Sequence, residues 1–125
     1  MSDVLKGRRV LVVEDESLVA MLLETILEDL GCIPVGPAAS VEDGLEKVRG
    51  QEKLDLALLD VNVAGREVFP VADALAERGV PVVFSTGYGE AGLPEKWRGT
   101  QALQKPFTEQ AVRDALLKAI NVSRA

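Results

Sequence analysis

Residues 9–13, Arg-Val-Leu-Val-Val, form a short apolar run rich in β-branched side chains and closed by acids. A strand buried on both faces has this pattern. Residues 17–30 change period. Leu18, Leu22, Ile26 and Leu30 recur at every fourth position, flanked by Val19, Leu23 and Leu27, and Gly31 stands where a C-terminal cap belongs. Residues 32–36 predict a weaker second strand, interrupted by Pro34 and therefore at a sheet edge. Ser40 is placed as an N-cap for a helix over 41–49, with Val41, Leu45 and Val48 on one side and Gly50 at its end. Residues 54–60 predict a third strand, again ending in an acid. A loop over 61–66 leads to a third helix that ends near Arg78, with Gly79 as its stop and Pro70 in its first turn. Residues 80–85 predict a fourth strand. Residues 88–99 are rich in Gly and polar side chains, with room for one short helix after Pro94. A short fifth strand over 102–104 precedes Thr108, which caps a last helix over 109–121 with Val112, Leu116 and Ile120 on its inner stripe.

Five strand–helix units imply a parallel sheet with helices on both faces, since each parallel connection must cross over. The expected fold is α/β, a doubly wound five-stranded sheet. In such sheets ligands bind beyond the carboxyl ends of the strands. The residues just after each strand therefore matter most. They are Glu14, Asp15 and Glu16 after the first strand, Asp60 after the third, Ser85 and Thr86 after the fourth, and Lys105 after the fifth.

Composition narrows the chemistry. The chain has 125 residues, 47% hydrophobic and 27% charged, which is one ordinary globular domain. It contains no histidine. That excludes a Ser/His triad, a Cys/His nucleophile, histidine metal ligation and a phosphohistidine donor within this chain. The lone Cys32 cannot form an internal disulfide or a Cys-rich zinc site and is expected in the core. A net charge of −6, with no basic run beyond Arg8-Arg9, argues against nucleic-acid binding. No apolar stretch approaches the ~18 residues of a membrane span, and the N-terminus lacks a signal-peptide pattern. A cytoplasmic protein is expected.

Gathered at one edge, the post-strand residues would give several carboxylates, a hydroxyl and one ammonium. Crowded carboxylates raise one another's pKa unless a cation sits among them. Hard oxygen ligands with room for water suit Mg²⁺. Asp60 could act as a carboxylate nucleophile forming an acyl phosphate, with Thr86 and Lys105 placed to hold the phosphoryl oxygens. Each piece alone has a plainer reading. The acids at 14–16 suit a helix N-terminus, Asp60 and 85–87 suit turns, and Lys105 suits a surface. Their joint order after successive strands favours a phosphoryl site.

Val-Val-Glu14-Asp15-Glu16, Leu-Leu-Asp60-Val-Asn62, Phe84-Ser-Thr86-Gly and Lys105-Pro106-Phe107, in that order, resemble a response-regulator receiver domain of two-component signalling. The resemblance runs from Arg8 to about Ser123. It implies a flavodoxin-like sheet of order 2-1-3-4-5 and a single receiver domain over 1–125 with its core at about 8–123. It implies an Mg²⁺ site of Glu14, Asp15, Asp60 and the Asn62 carbonyl, with Asp15 the direct ligand and Glu14 acting through water. Asp60 would be the phosphoacceptor, Thr86 the hydroxyl that moves on activation, and Lys105 the partner of a phosphoryl oxygen. The Lys105–Pro106 bond would be cis. Three features depart from the pattern. Ala64 stands where proline is usual, Ala102 stands where Tyr or Phe is usual, and the stretch from Thr86 to Lys105 is short. Phe84-Ser-Thr86-Gly-Tyr88 resembles a receiver subgroup with a Phe-small-Thr-Gly signature and an altered fourth-helix region. With the aromatic at 102 missing, Tyr88, or a loop movement there, is expected to replace the relay, so that Thr86, Tyr88 and Pro106 make up the expected switch.

The implied function is a free-standing response regulator without an output domain. A histidine kinase or histidine phosphotransfer protein would phosphorylate it. Its output would be binding of another protein, or drainage of phosphoryl groups, as a monomer or a weak phosphorylation-dependent dimer. It would promote its own phosphorylation and dephosphorylation without being an independent enzyme. The alternatives are an unphosphorylated scaffold, a receiver cut from a hybrid kinase, and an Mg²⁺-dependent phosphohydrolase. The last would want an acid at position 62, which is Asn.

Overall fold

The computed structural model describes residues 4–87 and 93–124. Strand and helix alternate as the hydrophobic pattern requires. β1 (Arg9–Val13), α1 (Ser17–Asp29), β2 (Ile33–Ala38), α2 (Val41–Gly50) and β3 (Leu56–Asp60) come first. A two-stranded hairpin follows, β4 (Asn62–Val63) and β5 (Arg66–Glu67), then α3 (Phe69–Glu77) and β6 (Val82–Thr86). A 3₁₀ turn (Glu95–Trp97), β7 (Gln101–Gln104) and α4 (Glu109–Arg124) complete the chain. The five long strands form one parallel sheet in the order β2-β1-β3-β6-β7. This is the expected flavodoxin-like order, with β6 and β7 as the fourth and fifth long strands. β2 is at the edge, as Pro34 suggested.

The strands alternate side chains between two cores, which is why their sequences are apolar almost throughout. Leu11, Val13, Ala57, Leu59, Val82 and Phe84 face α2 and α3, where Val41, Val48, Val71 and Leu75 complete one cluster. Val10, Val12, Leu56, Leu58, Val83 and Leu103 face α1 and α4, where Leu23, Leu27, Val112 and Leu116 complete the other. Cys32 is buried in this second core.

The caps are where the residue types put them. Asp43 N–H donates to Ser40 Oγ (3.0 Å), and Ala111 N–H donates to Thr108 Oγ1 (3.1 Å). Gly31 and Gly79 follow α1 and α3 with φ of 86° and 72°. In α1 the four-residue series splits, with Ile26 buried and Leu30 half-buried but Leu18 and Leu22 exposed. Ala20, Leu23, Ile26 and Leu27 are buried, whereas Leu18 is 80% exposed and Met21 and Leu22 are also exposed. The span over 61–66, expected as a plain loop, carries the hairpin.

Candidate functional site

Parallel pairing brings the acids together. β1 lies beside β3 with Val13 opposite Leu59, and β3 lies beside β6 with Asp60 opposite Ser85. β7 lies beside β6 with Thr86 opposite Gln104, and Lys105 N–H donates to the Thr86 carbonyl at 3.0 Å. The carboxyl ends of four neighbouring strands thus deliver Glu14, Asp15, Asp60, Ser85, Thr86 and Lys105 to one edge.

Glu14, Asp15 and Asp60 each offer a carboxylate oxygen, and these oxygens lie within 4.8 Å of one another. Glu14 and Asp60 are buried, and Asp15 is exposed. Lys105 Nζ stands 3.3 Å from Glu14 Oε1 and 3.4 Å from Asp60 Oδ2. Burial pushes the Glu14 carboxyl above its ordinary value, and the neighbouring Asp60 charge adds to the rise. Burial likewise pushes Asp60 up, although Lys105 pulls it back and the Asn62 main-chain N–H hydrogen-bonds to its carboxylate. Burial opposes the Lys105 charge, yet Asp60 and then Glu14 outweigh it and hold its pKa up. One ammonium therefore serves two buried carboxylates beside a third acid. Further positive charge would be stabilised there.

The donor set fits a hard divalent cation. It consists of carboxylate oxygens with an open, exposed side at Asp15, and it holds neither imidazole nor thiolate. Asn62 is exposed at the start of β4, immediately beside Asp60 and Val61. Thr86 and Ser85 are both buried, and Ser85 Oγ has no hydrogen-bond partner among the described residues. The Lys105–Pro106 peptide is cis, and so is Gly36–Pro37. Tyr88 lies outside the described residues.

Two features were not foreseen. Ala64 N–H donates to Asp15 Oδ2 at 3.1 Å, which ties the hairpin tip to the acid cluster. Only the X-Gly dipeptide Ala64-Gly65 hints at it in sequence. The second is the Trp97 ring, which meets the Phe84 ring edge-on at 5.4 Å, while Phe69 meets Phe84 from elsewhere at 5.6 Å. Ala102 pairs with Phe84 in register and packs against the same core as Trp97. The aromatic missing at 102 is thus accompanied by an aromatic from the preceding turn.

A parallel α/β sheet with clustered acids and a lysine at its carboxyl edge is the architecture of a receiver module. The family described as "Response regulator receiver domain" matches residues 10–117, and the chain belongs to that family. Among curated proteins it is similar to the transcriptional regulatory protein PdtaR of Mycobacterium tuberculosis, with 33% identity over 126 residues. That match covers 96% of this chain but 60% of PdtaR, so the chain spans about three fifths of that relative's length. Among solved structures it is similar to SdrG from Sphingomonas melonis Fr1, with 39% identity, TM-score 0.77 and full coverage of both chains. The PhyR receiver domain of Erythrobacter litoralis is also similar, with 33% identity, TM-score 0.83, and 96% and 95% of the two chains covered. Among the described residues no helix is long and apolar enough to cross a membrane.

Proposed function

We propose that this receiver accepts a phosphoryl group from a partner's phosphohistidine onto Asp60 and thereby switches its binding to another protein. The observation that carries the reading is the convergence of Glu14, Asp15, Asp60 and Lys105 at one sheet edge. Asp60 Oδ attacks phosphorus, the oxygen–phosphorus bond forms, and the nitrogen–phosphorus bond to the donor imidazole breaks with its electron pair staying on nitrogen. Lys105 pairs with a phosphoryl oxygen, and the Thr86 hydroxyl donates to another. Mg²⁺, held by Glu14, Asp15, Asp60 and the Asn62 carbonyl, would neutralise charge on the transferring group.

The donor needs a surface beside Asp60. Leu18, Met21 and Leu22 form an exposed apolar patch on α1, which begins two residues after Asp15. Such patches mark protein contacts, and this one supports docking of a histidine kinase or phosphotransfer protein. The match to SdrG over the whole of both chains, at 39% identity, supports a receiver of this kind, and a kinase donor implies a cytoplasmic setting. The new charge on Asp60 would bias a two-state element spanning Thr86 to α4.

The test is treatment with a small-molecule phosphodonor, with and without Mg²⁺, followed by intact mass. Wild type should gain one PO₃ unit only with Mg²⁺, and Asp60→Asn should gain none. Equal gain in both proteins, or no gain in wild type, would overturn the reading.

A further inference from the structure

The hairpin tip bears on the acid cluster in a way that side chains alone do not reveal. β4 and β5 pair as Asn62 with Glu67 and Val63 with Arg66, which leaves Ala64 and Gly65 as a two-residue turn. Both have positive φ, 50° and 82°, as the mirror-image hairpin turn demands. Among the described residues Ala64 is the only non-glycine with positive φ. Such a conformation is disfavoured and persists where its surroundings over-determine it. Here the surroundings are visible. Val63 and Val68 are buried, Val68 N–H donates to the Val61 carbonyl at 2.9 Å, and Arg66 pairs with Glu42 on α2. The result is that the Ala64 N–H points at Asp15 Oδ2.

Asp15 is the exposed member of the cluster and faces two like charges. Repulsion from Glu14 and Asp60 favours its rotation outward into water. A hydrogen bond from a fixed main-chain donor opposes that rotation. A carboxylate has two oxygens, so one can hold the N–H while the other serves a cation. Resting on the functional reading above, we infer that the Ala64 main-chain N–H is a positioning group that holds Asp15 inward for the divalent cation. Proline at this position could supply neither the N–H nor the positive φ. Glycine supplies both.

The test uses the full chain in three forms: wild type, Ala64→Gly, and a chain in which the 63–64 peptide bond is replaced by an ester, which deletes this one N–H. Mg²⁺ affinity is measured directly by calorimetric titration. Ala64→Gly should bind within twofold of wild type, whereas the ester should bind about fivefold or more weakly, the scale of one hydrogen bond to a charged acceptor. Unchanged or tighter binding by the ester would overturn the inference, as would an equal loss in Ala64→Gly. Amide exchange on the unmodified chain gives a second readout that needs no ester. The Ala64 amide should exchange slowly with and without Mg²⁺ and lose protection in Asp15→Ala. Free exchange in wild type, or unaltered protection in Asp15→Ala, refutes the contact. If wild type takes up no Mg²⁺, the functional reading itself fails. If wild type binds and only the ester or exchange comparison fails, this inference alone falls.

Discussion

Replacing Asp60 by Asn should stabilise the metal-free protein, although it removes the proposed reactive group. The carboxylate stands 3.4 Å from Lys105 Nζ, an attraction of about 5 kcal/mol at an effective dielectric of about 20. It also lies within 4.8 Å of oxygens on both Glu14 and Asp15. On the same footing each of those pairs repels by at least about 3.5 kcal/mol, about 7 kcal/mol together. Neutralising Asp60 therefore relieves about 2 kcal/mol more repulsion than it forfeits in attraction. Exposure of Asp15 screens part of this, so about 1–2 kcal/mol is the net expectation. For a domain of this size that is a rise of about 4–8 °C in melting temperature. The assay is thermal unfolding by circular dichroism in EDTA and in millimolar Mg²⁺. Wild type should melt lower than Asp60→Asn in EDTA and gain more from Mg²⁺. A metal-free Asp60→Asn protein that melts at or below wild type would refute the electrostatic reasoning.

Three further outcomes follow from the same geometry. Glu14 and Asp60 titrate above their ordinary values in the fold, so between about pH 4 and those raised values the native state binds more protons than the unfolded one. Unfolding free energy contributed by these groups is thus fully present below about pH 4 and lost as pH rises through the folded pKa values. The difference between wild type and a Glu14→Gln/Asp60→Asn double variant in urea unfolding should therefore widen with pH above 4, and should narrow with Mg²⁺. Lys105→Met leaves two buried carboxylates without their ammonium and should cost about 2 kcal/mol at pH 7 in EDTA, less at pH 4, as read by the same urea titration. Gly36 has φ of 103°, and a Cβ there would lie 2.9 Å from Ala38 N and 3.0 Å from the Val12 carbonyl oxygen. Gly36→Ala should cost more than about 2 kcal/mol in chemical denaturation, because main-chain atoms cannot yield.

The sheet was legible because each buried strand is apolar on both faces and stops at an acid, a hydroxyl or a lysine. Those stops also converge into the acid cluster beside Lys105, so the fold and the candidate site were read from the same positions. Four things escaped, each for a physical reason. The buried face of α1 was not given by the four-residue series, because Leu18 and Leu22 are exposed while Leu23 and Leu27 supply much of the packing face, and apolar residues recur around most of this helix. The hairpin at 62–67 escaped because two-residue strands are too short to show a period. The Ala64–Asp15 contact escaped because its donor is a main-chain N–H, which no residue type announces. The Trp97–Phe84 contact joins residues whose adjacency depends on the path of the chain before β7, and local pattern says nothing of that path.

The central claim is that Glu14, Asp15, Asp60 and Lys105 act as one site for a cation and a phosphoryl group. It is tested most directly by amide chemical-shift mapping during addition of Mg²⁺ and then beryllofluoride. Shifts should centre on residues 14–15, 60–64, 85–86 and 105, with the beryllofluoride response dependent on Mg²⁺ and absent in Asp60→Asn. Shifts scattered away from these four segments, or a beryllofluoride response that survives in Asp60→Asn, would contradict the account.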